Sequence, residues 1–149
     1  MASLLVERDR QRLIARIEAL TPEQPRRWGQ MSVDRMLGHL VGSAQMALGD
    51  LAVAPRPGFA PLSRFPVKQL VLYVLPFPKS TPTAPELVIV EPRVFEAERA
   101  RLLGLMARLV ARGESGPAPV HSVFGPLSCR EWGVLVHKHT DHHLKQFGG

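Results

Sequence analysis

Apolar residues recur at helical spacing in four long segments of this chain, with charged residues filling the positions between them. In the first segment, from Ser3 to Leu20, Val6, Leu13, Ile17 and Leu20 fall on one stripe. Thr21-Pro22-Glu23 then resets the chain, with Thr21 placed to cap a short turn and Pro22 at its first position. Ser32 is the expected N-cap of the second segment, where Val33, Met36, Leu37, Leu40, Val41, Ala44 and Leu48 keep a helical period up to Gly49-Asp50. The third starts near Pro92 and runs to about Arg112, with Phe95, Leu102, Met106 and Leu109 inward. Ser128 and Glu131 spell a capping box for the fourth, which ends near Phe147.

The connections are uneven. From Pro55 to Pro92 the chain carries nine of its 14 prolines, each of which removes a backbone donor and clashes with the preceding turn. Only Val67 to Leu75 can form a short apolar helix there. Gly113 to Pro126 is a second Gly- and Pro-rich connection. No strand alternation, internal repeat or low-complexity tract interrupts the pattern. The prediction is an all-α chain: one domain over residues 1–149, a four-helix bundle with a long Pro-rich crossover between its second and third helices.

Composition narrows the function classes. With 149 residues, 45% of them hydrophobic, the chain can fill one core. The N-terminus turns charged after three apolar residues, unlike a signal peptide, and the longest other apolar run, Leu70 to Phe77, falls far short of the roughly 20 residues of a membrane span. No membrane partner is expected. Cys129 is the only cysteine, which rules out an intrachain disulfide and points to the cytoplasm. The net charge of +6 raises the question of nucleic acid. Its arginines alternate with acids, as in Glu7-Arg8-Asp9-Arg10, with no recognition motif or aromatic platform, so nucleic acid is not an expected partner.

The chemistry concentrates in the fourth segment, which holds four of the six histidines. On a helix, His139 and His143 each fall within about 20° of Trp132, on either side of it. They therefore sit amid the stripe of Leu135, Val136 and Phe147. Lys138, Asp141 and Lys145 cluster on the opposite, solvated side. Two inward imidazoles one turn apart can converge on one cation, but they are half a site, because zinc-like ions take three or four ligands. The competing reading is a pair of neutral histidines satisfied by ordinary hydrogen bonds. His142, at the stripe's edge, could replace His143, whereas His137 points away from the stripe and reads as a surface histidine. Gln146 lies inward, as a partner for an imidazole or a contact for a substrate.

A third ligand must come from His121, in the loop before the last helix, or from His39 in the second helix. The helical count sets His39 beside Ser43 and Met46, well off the stripe centre that Val33 marks. That side carries no charge apart from Arg35, so these residues could border a pocket. The angle alone does not select His39.

Trp28-Gly-Gln-Met-Ser-Val-Asp-Arg-Met-Leu-Gly-His39-Leu, paired with His139-Thr-Asp-His-His143-Leu-Lys-Gln146, resembles the DinB/YfiT-like superfamily. Pro76-Phe-Pro-Lys79 and Phe124-Gly-Pro-Leu-Ser128 are similar to a branch of it with no assigned activity. The resemblance runs from about Ile14 to Gly148. It implies an up-down-down-up bundle and a metal held by three histidines, matching His39, His139 and His143 here. It also implies chemistry on small molecules, since relatives include transferases and isomerases that use low-molecular-weight thiols such as bacillithiol or mycothiol. Others are described as metal-dependent hydrolases, and some members have lost the triad.

Three imidazoles leave a coordination position open, as in catalytic sites, and zinc or nickel suits such ligands. Together with the resemblance, this makes the expected function a metal-dependent, thiol-dependent S-transferase acting on a small molecule. A metal-dependent hydrolase, or a non-catalytic metal- or ligand-binding stress protein, is the alternative. Asp141 faces away from the triad, so no general base is evident. The assembly state is open, a homodimer included.

Overall fold

In a computed structural model of the chain, which describes residues 1–79 and 81–149, each of the four predicted segments forms a helix. The first, α1, spans Glu7–Glu18 and buries Leu13 and Ile17, one turn apart. It starts later than its apolar stripe suggests. The Leu4 amide donates to the Gly133 carbonyl at 3.0 Å, which draws Leu4 fully into the core and leaves Val6 45% exposed. The expected start at Ser3, with Val6 inward, is thus corrected by a contact that local periodicity does not register.

The second helix, α2, spans Val33–Leu48. Gly49 ends it in the left-handed region, at φ 83°, a conformation that costs a glycine little. Ser32 occupies the N-cap position, but its side chain makes no cap hydrogen bond. Twelve of the sixteen residues in α2 are buried, because neighbours cover it on several sides. The Pro-rich stretch contains 3-10 turns at Pro57–Ser63 and Pro85–Leu87, with the short helix α3, Val67–Tyr73, between them.

The third long helix, α4, spans Phe95–Arg112 and buries Phe95, Leu102, Met106 and Leu109 as the period requires. The last, α5, spans Cys129–Gln146 and opens on the capping box. Ser128 Oγ accepts from the Glu131 amide at 3.1 Å, and a Glu131 carboxylate oxygen accepts from the Ser128 amide at 2.8 Å. In the preceding connection a minimal hairpin pairs β1, Val120–His121, with β2, Gly125–Pro126. Two-residue strands are too short to show alternation, which is why the sequence pattern carries no trace of them.

The α2 helix packs on α4 and α5, and α1 lies against α5 and α4. Trp132, Leu144 and Phe147 from the last helix region meet Met36, Leu37 and Leu40 of α2 in the shared core. Lys138 departs from its expected place on a solvated face. Its ammonium donates to the carbonyls of Val71, Leu72 and Leu75 at the C-terminal end of α3, where a cation also complements the helix dipole. No helix among the described residues is long and apolar enough to cross a membrane.

Candidate metal centre

The i, i+4 spacing on α5 brings the rings of His139 and His143 to 4.8 Å between centroids, and α2 delivers His39 against both at 4.9 Å. The Nε2 atoms of His39 and His143 each lie 3.1 Å from Nε2 of His139. One ring nitrogen from each residue lies within 4.8 Å of the others. Tetrahedral ligands at about 2.0–2.1 Å from an ion stand about 3.3 Å apart, close to the two short separations here.

Hydrogen bonding at the outer nitrogens decides the state of the inner ones. His39 Nδ1 is 3.0 Å from the Leu87 carbonyl, which can only accept, so Nδ1 carries the proton and Nε2 a lone pair. His143 Nδ1 donates to the Gln146 amide oxygen at 2.8 Å, while the Gln146 amide nitrogen donates to the Trp28 carbonyl at 2.9 Å. The oxygen of that amide therefore faces His143, and His143 Nε2 is also a lone pair. Both lone pairs point at one nitrogen of His139, which has at most a single proton to share between them. Without a cation among the three, two acceptors compete for one proton at best.

A proton is a poor candidate for that cation. Burial lowers the His39 pKa, and burial with the nearby charge of His39 pushes His143 down to about 3. His139 is held well below its ordinary value by burial and by the positive charge its histidine neighbours would carry. Three neutral imidazoles with converging lone pairs are a donor set suited to a divalent ion.

Local sequence explains how the outer partners arrive. Gly42 lies one turn from His39, and a Cβ there would sit 3.0 Å from a methyl of Leu87, so the bare backbone lets the Pro85–Leu87 turn settle on α2. At Gly29, with φ 78°, a Cβ would fall 2.5 Å from the Gln146 amide nitrogen. Glycine both tolerates that backbone and leaves room for the Gln146–Trp28 bond.

His139 is half-buried, and Phe77 lies 6.3 Å from its ring. Around this opening Trp28 and Phe77 flank His142 at 5.9 and 6.1 Å, and the Lys79 ammonium stands 4.5 Å above the Trp28 ring. A cavity of about 340 Å³ lies beside Phe77, Lys138 and His142; none of the three triad imidazoles lines it.

The structure thus gathers His39, His139 and His143, with Gln146 behind His143. His142 stays outside the group and joins the aromatic rim; burial lowers its pKa. Ser43 donates to the His39 backbone carbonyl at 3.0 Å, and Met46 is buried in the apolar core. His137, expected at the surface, is half-buried near Asp9 and Asp141. Asp141 bonds Arg16 and Lys145, both at 2.7 Å, turned toward α1. His121 stands apart in the hairpin, and Cys129 Sγ donates to the Gly116 carbonyl at 3.1 Å. The Leu87 carbonyl, Trp28, Phe77 and Lys79 had no signal in periodicity; the short phrases bearing the resemblance contain three of the four.

No curated protein and no solved structure matches the chain significantly. A model of the DinB superfamily matches residues 5–147, nearly the whole length, and the chain belongs to that superfamily.

Proposed function

We propose that His39, His139 and His143 hold one divalent ion, zinc or nickel, and that the chain is a thiol-dependent S-transferase acting on a small molecule. The supporting scaffold is an up-down-down-up bundle of α1, α2, α4 and α5, with the Pro-rich crossover between α2 and α4. In such a reaction a thiol loses its proton to solvent and its sulfur forms a bond to an electrophilic carbon, from which a leaving group departs. The observation that carries the reading is the pair of tautomer-fixed lone pairs, on His39 and His143, aimed at His139 Nε2.

A bound ion would supply the charge that lets a thiol or water ionise near neutral pH. The chain's own contribution is orientation. The Leu87 carbonyl and the Gln146 amide hold their imidazoles in the ligating tautomer, an outer arrangement typical of metal sites. Trp28 and Phe77 set their rings beside His142 and His139. Asp141 is committed to Arg16 and Lys145, and among the described residues no carboxylate joins the triad. A nucleophile that needs no protein base suits this site, which favours a thiol over water.

Cobalt substitution tests the proposal. One equivalent of cobalt should bind the wild type and not His139→Ala. A thiol from a panel of cysteine, glutathione, bacillithiol and mycothiol should then add a sulfur-to-metal charge-transfer band. Failure to bind cobalt, zinc or nickel overturns the metal reading. Should every thiol leave the spectrum unchanged while an ester or amide is hydrolysed, the hydrolase reading replaces the transferase. Metal binding with neither response points to a non-catalytic binding protein.

A further inference from the structure

We infer that the outer side of α3, with the residues just before and after it, is a peripheral docking surface for an anionic lipid bilayer. Val67, Leu70 and Val74 recur at i, i+3 and i+7, so they share one side of the helix, Val74 still holding helical backbone at the C-cap. Leu70 is 44% exposed and Val74 69%, with Phe65 at 83% just before the helix and Leu75 at 49% just after it. Single exposed apolar side chains are ordinary, but a run of them on one short element marks a contact surface.

The exposure is built into the fold. Leu72, on the opposite side of α3, is fully buried in the shared core. The Lys138 ammonium of α5 holds the carbonyls of Val71, Leu72 and Leu75. Lys68 donates to the Pro126 carbonyl at 2.6 Å and pairs with Glu131 at 3.3 Å. These ties to α5 and the hairpin fix which side of α3 faces outward.

Charge selects the occupant. Residues 51–85 contain Arg56, Arg64, Lys68 and Lys79 and no Asp or Glu, so this stretch carries +4 of the net +6. Arg64 and Lys79 are exposed, and neither pairs with a carboxylate among the described residues. A second copy docked through the same face would set like charge against like. A nucleic acid would meet the cations and leave the apolar stripe in water. An apolar ridge beside unpaired cations is instead the pattern of a helix lying at headgroup level, where Phe and Leu enter the acyl boundary and Arg and Lys meet lipid phosphates. Such a helix lies in the plane of the bilayer and needs no spanning segment. The surface is separate from the triad and requires no metal ion, so it goes beyond the proposed function and is tested apart from it.

The test is cosedimentation of the metal-free full chain with vesicles of phosphatidylcholine, alone or mixed two to one with phosphatidylglycerol. The mixed vesicles should bind at least about tenfold more tightly than the neutral ones, and high salt should weaken that binding. Leu70→Gln combined with Val74→Gln should abolish it, and both positions are exposed, so the fold should persist. Arg64→Ala combined with Lys79→Ala should weaken it about 10- to 30-fold. Arg8→Ala combined with Arg12→Ala removes the same charge from the exposed side of α1 and should stay within about threefold of wild type. Circular dichroism on each variant separates lost binding from lost folding, and Phe65→Ser carries the apolar test should the double Gln variant unfold. No binding to the mixed vesicles overturns the inference and leaves the face to another partner, such as an acidic protein. Equal binding to both vesicles also overturns it, as does full binding by the apolar variants or an equal loss in the α1 variant. Should sedimentation without lipid show a dimer that Leu70→Gln with Val74→Gln dissociates, a second copy covers this face and the inference falls.

Discussion

Two environments in this molecule bury histidines, and they treat the imidazole lone pair in opposite ways. In the hairpin, His121 Nδ1 accepts the backbone amides of Val123 and Phe124 at 3.0 and 3.1 Å, with the Trp132 ring alongside at 5.2 Å. The lone pair of that ring has donors close by in sequence. In the triad, the outer nitrogens of His39 and His143 are satisfied locally too, but their inner nitrogens meet only one another and His139. Burial and a depressed pKa are common to both sites, so neither marks a ligand. The discriminating observation is where the remaining lone pair points.

Removing one triad histidine should break the comparison most strongly. His139→Ala is expected to lower zinc affinity at least about 100-fold, beyond what loss of an outer partner costs, while His121→Ala leaves it unchanged. Competition with a chromophoric chelator measures both. Because α1, α2, α4 and α5 share an apolar core without the imidazoles, His139→Ala should still unfold cooperatively. A His121→Ala protein that loses zinc as His139→Ala does would show that the two sites are not independent.

The outer partner comes next. Gln146→Leu removes the acceptor that keeps the His143 proton on Nδ1, and zinc affinity should fall about 10- to 100-fold. Gln146→Glu retains an acceptor at that point and should recover part of the loss. Equal affinity in all three proteins would show that the tautomer is not held from this side chain.

His121 supplies the converse test. Burial pushes its pKa down to about 4, against about 6.5 when unfolded. The unfolded chain therefore binds the proton more readily, and stability falls as pH drops from about 6.5 towards 4, being fully present above that window. Asn at this position can accept the same backbone amides without titrating. Between pH 8 and pH 4.5, His121→Asn should lose roughly 2 kcal/mol less stability than the wild type in urea melts. The triad histidines shift in the same direction, so the difference between the two proteins, rather than either curve alone, isolates His121. Identical pH profiles would contradict the buried-acceptor account.

The smallest effect is expected at Ser43, whose hydroxyl is spent on the His39 backbone carbonyl. Ser43→Ala should cost less than about 1 kcal/mol and leave zinc affinity within about twofold. A larger change in affinity would bring Ser43 back into the site.

Much of this was legible in the residues, because helical period is a local property. The His139–His143 pair, the inward setting of Gln146 and the capping box at Ser128 and Glu131 all follow from spacing along one helix. So does the failure of the Pro55–Pro92 stretch to hold a long helix. His39 shows where the method stops. An angular argument assumes one inward face, yet α2 is buried over twelve of its sixteen residues, so a position well off the Val33 stripe faces protein as well. The resemblance singled out His39 where geometry could not.

What tertiary structure alone decided are the meetings between segments distant in sequence. The Leu87 carbonyl reaches His39 across 48 positions because Gly42 leaves room for the turn, and Trp28 reaches Gln146 across 118 because Gly29 does. Lys138 leaves its solvated face because α3 docks its open carbonyls there, and Leu4 displaces Val6 because Gly133 admits the N-terminal turn. Periodicity along a chain sets which face of a helix is apolar. It carries no record of which backbone carbonyl will arrive against that face, and here the Leu87 carbonyl directly, and the Trp28 carbonyl through Gln146, determine which nitrogen of His39 and His143 keeps its lone pair.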